Sequence, residues 1–210
     1  MKNNLPPTEL KSNNHKNIDE MDDFSRFDLI INSNIEAIKS VEQAKEQIQE
    51  VINQILKHLN NNNIGRIIYC GAGTSARIGV QDGSELYPTF GWPYNRLDFI
   101  IAGGNTALLR AAEEAEDNIN EALSKVKDMN INHSDVVIGL AASGNTPFTC
   151  GVLEAARSTG ALTIGISNNK NGLLNKISEF LILLNTGPEV VVGSTRLKAG
   201  TAQKICLNII

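Results

Sequence analysis

From Arg66 onward the chain alternates short apolar runs with longer stretches of helical periodicity: "RIIYCG", "LDFIIAGG", "DVVIGLAASG", "ALTIGISNN" and "FLILLNTG". Several runs are apolar at successive positions, the pattern of strands covered on both faces. Between them lie predicted helices starting at Ser75, Thr106, Pro147 and Ser194. Strands that alternate with helices pair in parallel, because the crossover helix returns the chain to the same edge of the sheet. The expected fold is α/β, a three-layer α/β/α sandwich on a five-stranded parallel sheet. Right-handed crossovers then line the strand-to-helix loops along one edge, where such sheets bind ligands.

Ahead of this region, residues 1–17 are Asn- and Lys-rich with a Pro-Pro pair and no periodicity, and are expected to form an extended arm. Apolar positions from Ile35 through Val41, Ile48 and Ile55 to Leu59 then recur at three- and four-residue steps. They predict one long amphipathic helix, or two in succession, stopped by "NNNNIG". The expected division is an arm over 1–17, a helical segment over 18–62 and an α/β domain over 63–210.

Charge and residue usage remove several function classes. The 19 basic and 23 acidic residues are well mixed, with a net charge of -4, so no basic stripe is present and nucleic acid is not an expected partner. No apolar run reaches the roughly 18 to 20 residues that cross a bilayer, and the N-terminus lacks the apolar centre of a signal peptide. A cytoplasmic protein with no membrane partner is expected. Cys70, Cys150 and Cys206 are scattered in apolar contexts, which suits reduced core thiols. His15, His58 and His133 show no ligand spacing, and no metal is expected.

Two loops carry most of the functional signal. "YCGAGTSARIG" places Gly71 and Gly73 after a strand and Thr74 and Ser75 at a helix start, a ready anion site of bare amides and hydroxyls. The glycine spacing also matches a dinucleotide fingerprint, but the following strand ends "IIAGGN" where a ribose-binding acid belongs, and no Gly-Lys-Ser/Thr follows for a P-loop. "GLAASGNTPFTC" repeats the arrangement with Ser143, Asn145 and Thr146 ahead of Pro147, a favoured first helical residue. In either loop alone, hydroxyls that cap a helix are the commoner explanation. The pair together points to a phosphate monoester on a sugar. "GSELYPTFGWP" adds a lone carboxylate, Glu85, that the local residues leave open between a turn charge and an acid held among aromatics.

These loops resemble those of the sugar isomerase (SIS) domain. "GAGTSARIGVQDGSELYPTFG", "IIAGGNTALLRAAEEAED" and "GPEVVVGSTRLKAGTAQK" resemble, in order and spacing, the motifs of the bacterial N-acetylmuramic acid 6-phosphate etherases. Glucokinase regulatory proteins share a diverged form of them. The resemblance implies removal of the D-lactyl ether from the phosphosugar, giving N-acetylglucosamine 6-phosphate and D-lactate, without metal or organic cofactor. It also implies a homodimer. In the ring-opened sugar the C1 aldehyde acidifies the C2 proton, lactate leaves from C3, and water adds to the unsaturated aldehyde. One carboxylate takes a proton and another carboxyl group gives one.

Carried over by motif, the proton-donating glutamate is Glu85 of Ser84-Glu85, and its counterpart is Glu116 of Ala115-Glu116-Asp117. From the residues alone "EEAED" reads as the polar face of an exposed helix. The resemblance further assigns phosphosugar contacts to Thr74, Ser75, Ser143, Asn145 and Thr146, and to Ser194, Thr195 and Lys198 at the last helix start. This chain departs from the family at Ala76, usually Gly, at Gly83, usually Ala, and at Asn145, often Arg. Family members also continue into a C-terminal helical region that this sequence lacks. The competing expectations are a catalytically inactive phosphosugar-binding or regulatory protein and a phosphosugar isomerase that releases no lactate.

Overall fold

The five apolar runs become the strands β1 (Ile67–Gly71), β2 (Leu97–Ile101), β3 (Val136–Ala141), β4 (Leu162–Ser167) and β5 (Phe180–Leu183). All pair in parallel, in the order β2-β1-β3-β4-β5. This is a computed structural model, and it describes residues 6–10, 18–60, 64–110 and 112–210. The central strands β3 and β4 are buried at every position, as their unbroken apolar sequences require.

Side chains alternate across the sheet and build two cores. On one face Ile68, Cys70 and Val137 pack with α5 (Ile119–Asp128) and α6 (Pro147–Ser158). On the other, Tyr69, Ile138, Leu140, Ile164 and Ile182 pack with α1 (Asp23–Gln43), α2 (Lys45–Asn60) and α8 (Lys198–Ile209). Ala37, Val41, Ile48, Val51 and Ile55 belong to that same core, so the long N-terminal helical stretch is one layer of the sandwich. It is two helices in succession, broken at Ala44, whose amide turns back to the carbonyls of Ser40 and Val41.

Three cysteines are free and buried. Burial pushes the Cys150 thiol up to about 11 and that of Cys206 to about 12, so neither supplies a thiolate at neutral pH. No helix among the described residues is long and apolar enough to cross a membrane. Of the expected arm, residues 1–5 and 11–17 lie outside the described residues. Within 6–10, Pro7–Glu9 form a single 3-10 turn and Thr8 is fully buried.

Two helix expectations need correction. The stretch from Thr106 does not form one helix: it makes 3-10 turns at Asn105–Leu108 and Glu113–Asp117, and only then α5. Arg77 explains the break, because its guanidinium donates to the carbonyls of Ala107, Leu108 and Arg110 and takes acceptors a continuous helix would use. Asn118 then caps α5 by accepting from the Glu121 amide. The last helix starts at Lys198, four residues after the expected Ser194, because the Glu189 carboxylate takes its first amides.

Gly83 lies in α3 (Gly73–Ser84), where a β-carbon would come 2.7 Å from Phe99 Cε1 and 2.9 Å from Tyr69 Cε2. Phe99 thus occupies the space that an alanine would need. Gly83→Ala gains helix propensity of about 1 kcal/mol, yet overpacking should outweigh it and destabilise the protein by about 1–2 kcal/mol net. Urea unfolding measures this, and an unchanged or raised midpoint would show that Phe99 yields freely.

Candidate functional site

The sheet order reverses at β1: β2 lies on one side and β3 on the other. The loops leaving β1 and β3 therefore diverge to opposite faces and leave a crevice between them, the place where open parallel sheets bind ligands. A cavity of about 380 Å³ occupies this crevice. Ala72, Thr74 and Ser75 line it from the first loop, Ser143, Asn145 and Thr146 from the second, and Gly193 and Thr195 from the segment before α8. Glu116 lines it from the second 3-10 turn, and Pro6 from the N-terminal arm.

The hydroxyls of the two loops do not cap the helices that follow them. The N-cap residue of α3 is Ala72 and that of α6 is Thr146, and neither accepts a hydrogen bond from its first-turn amides through a side chain. Both helices therefore turn an uncapped N-terminus, with a partial positive charge of about half a unit, toward the cavity: α3 with the first-turn residues Gly73, Thr74 and Ser75, and α6 with Thr146 and Pro147, the latter having no N–H. Ser143 is used differently, its hydroxyl accepting from the Asn145 amide.

The second loop is clamped from behind. Gly144 has φ +69°, and a β-carbon on it would come 2.9 Å from Gly172 Cα, so the turn needs glycine both for its backbone and for that approach. The Leu173 amide donates to Asn145 Oδ1, the Leu174 amide to the Gly144 carbonyl, and Asn169 Nδ2 to the Ser143 carbonyl. A loop tied at three points holds its amides where an anion would meet them without further ordering.

Among the described residues that line the cavity, Glu116 is the only charged one. Its turn is set by Ala115, which packs on the core beneath α6 and against Gly103. Glu116 is exposed to the cavity side of that turn and takes part in a polar interaction of its own.

Three residues expected at the site lie elsewhere. Glu85 terminates α3, whose opposite end carries Thr74, eleven positions earlier, about 17 Å along the axis. It is exposed, as is Phe90 beside it, and the other aromatics of the segment have partners of their own. Tyr87 stacks on Tyr94 at 4.1 Å, and Trp92 donates to the Arg96 carbonyl while the Arg96 guanidinium lies over its ring. Lys198 is buried, its ammonium 2.5 Å from Glu36 on α1, and neither it nor Ser194 lines the cavity. Sequence reasoning missed Pro6, which no periodicity or motif singles out, and Gly193, which lies in the block "GPEVVVGSTRLKAGTAQK" but was not assigned a contact.

Solved structures share this architecture at low identity. A phosphoheptose isomerase from Francisella tularensis matches with a TM-score of 0.67 and 16% identity, covering 90% of this chain and 98% of that one. The Vibrio vulnificus NanR protein complexed with ManNAc-6P matches at 0.58 and 12%, covering 89% and 62%. A family model places the chain in the sugar isomerase (SIS) class. Residues 47–157 match the model of the glucokinase regulatory protein N-terminal SIS domain. The N-acetylmuramic acid 6-phosphate etherase of Clostridium acetobutylicum is 45% identical over 203 residues, which cover 97% of this chain and 67% of that protein. That of Deinococcus radiodurans is 46% identical over 172 residues, covering 82% and 56%. The chain belongs to the N-acetylmuramic acid 6-phosphate etherase family, and it spans between about half and two thirds of the length of these relatives.

Proposed function

We propose that the crevice holds a phosphosugar and that the chain carries its family's reaction, release of D-lactate from N-acetylmuramic acid 6-phosphate. The observation that supports this most is the pair of uncapped helix N-termini, α3 and α6, opening on one cavity where, among the described residues, the only charged lining residue is the carboxylate Glu116. The phosphate is bound by first-turn amides and by the hydroxyls of Thr74, Ser75, Ser143 and Thr146, with Asn145 and Thr195 at the sides. Thr195 provides the third wall in place of Ser194 and Lys198.

Glu116 then faces the sugar and takes the C2 proton as the lactyl oxygen leaves C3. Water adds across the resulting double bond to give N-acetylglucosamine 6-phosphate. The departing oxygen needs a proton, and Glu85 is the family's donor. At about 17 Å along α3, Glu85 does not serve the cavity of its own chain. It serves that of a second copy in a homodimer, which would also cover the exposed Tyr87, Phe90 and Tyr94 beside it.

Purified protein given N-acetylmuramic acid 6-phosphate should release D-lactate. No lactate from folded, dimeric protein would sink the proposal. Glu85→Gln and Glu116→Gln proteins, each inactive, should regain about a quarter of wild-type activity when unfolded together and refolded, since half of the dimers would hold one intact site. No recovery in mixed dimers would show that Glu85 does not complete a neighbour's site.

The exposure of Glu85 favours one alternative, a phosphosugar-binding protein without turnover. It predicts that N-acetylglucosamine 6-phosphate raises the melting temperature while lactate never appears.

A further inference from the structure

The segment from Leu184 to Leu197 joins β5 to α8 through 14 residues without helix or strand, and delivers Gly193 and Thr195 to the cavity. A connection of that length holds a position only if something ties it down. Its near end is tied by Asn168, whose Nδ2 donates to the Leu184 carbonyl and lies 3.4 Å from Thr186 Oγ1, and whose Oδ1 accepts from Gln203 of α8.

Its middle is tied by Glu189. This side chain is 1% exposed, and its two carboxylate oxygens accept from the amides of Lys198 at 3.3 Å and Ala199 at 2.9 Å. Glu189 therefore caps α8 from nine residues upstream. That is why α8 starts at Lys198: the first amides of the helix are taken by a carboxylate. The contrast with α3 and α6 is informative, since those helices keep their N-termini open to the cavity while α8 has its own closed by an internal anion. From the Glu189 peg the chain turns back through Val191 and Gly193, with the Ser194 amide bonding the Val191 carbonyl and the Gly200 amide that of Thr195.

We infer that Glu189 is a positioning residue for the phosphosugar site: by capping α8 it holds the 184–197 segment so that Thr195 and Gly193 close the cavity's third wall. The inference rests on reading the cavity as a phosphosugar site. Both oxygens are needed, because two amides converge on them. Glutamine offers one acceptor and turns a donor toward the second amide.

The test is a double-mutant cycle on N-acetylglucosamine 6-phosphate binding, measured by calorimetry on wild type, Glu189→Gln, Thr195→Ala and the double variant. Glu189→Gln should weaken binding about tenfold, the size of one lost hydrogen bond to a charged group. The double variant should bind no more weakly than the weaker single variant, because Glu189 acts through Thr195. Unchanged binding by Glu189→Gln, or losses that multiply, would overturn the inference; the second outcome is what a merely structural role produces. Glu189→Asp keeps the charge and shortens the reach, and the same cycle run on it decides the matter if the glutamine variant does not fold. Wild-type protein that binds no N-acetylglucosamine 6-phosphate would overturn the phosphosugar reading itself, and this inference with it.

Discussion

Glu116→Gln should lower the rate of D-lactate release by about 10² to 10⁴-fold, the usual worth of a positioned proton-transfer group, while binding of N-acetylglucosamine 6-phosphate stays within a few-fold of wild type. The two quantities separate because Glu116 is assigned to the proton and the amides of α3 and α6 to the phosphate. Glutamine keeps the shape of the side chain and cannot accept the C2 proton. A loss in kcat with KM little changed is the expected signature. A fall of less than tenfold would remove Glu116 from the chemistry. Equal losses in binding and rate would make it a binding residue instead.

The largest effect on stability is expected at Asp135, at the sheet edge opposite the cavity. It is 1% exposed and accepts from the Arg66 amide, from Arg66 Nε and Nη2, and from the Asn132 amide. Arg66 reaches on to Asp98 on β2 and to the Met129 carbonyl, so one guanidinium links the starts of three strands. Asp135→Ala leaves the Arg66 and Asn132 amides and Arg66 Nε without an acceptor, while Nη2 keeps the Met129 carbonyl, and should cost about 3–5 kcal/mol, read as a lower urea midpoint. A loss below 1 kcal/mol would show that water replaces the carboxylate.

The same group sets an acid limb. Burial by itself would raise the Asp135 pKa, but hydrogen bonds from Arg66 and the two amides more than offset it and hold the carboxyl below its ordinary 3.8. Its contribution is therefore fully present above pH 3.8 and is lost as pH falls through the lower folded value. Glu189 has the opposite sign. Burial, only partly opposed by the two amides and Lys198, raises it above 4.5, so its contribution is present at low pH and lost as pH rises through the folded value. Wild type should thus lose more stability than Asp135→Ala as pH falls below 3.8.

Much of the architecture was legible because its signals are local. Apolar runs such as "DVVIGLA" and "LTIGIS" state double burial without reference to any other part of the chain, and they became β3 and β4. The glycine- and hydroxyl-rich turns after β1 and β3 could be located for the same reason, and both line the cavity. The misread elements were settled by distant partners. The helix expected from Thr106 fails because Arg77, some 30 residues upstream, takes its carbonyls, and the last helix starts late because Glu189 occupies its first amides.

Period and spacing were thus enough to determine the class of fold, the parallel sheet and the two anion-ready loops, since each depends on residues within one turn or one strand. They could not decide which carboxylates meet the cavity. Glu85 and Glu116 look equivalent as motif residues, but α3 is a rigid rod of 12 residues that carries Thr74 at one end and leaves Glu85 beyond the other. Glu189, with no chemical role suggested by its surroundings in the sequence, became the cap of α8 because folding buries it against two amides that its own neighbours do not supply.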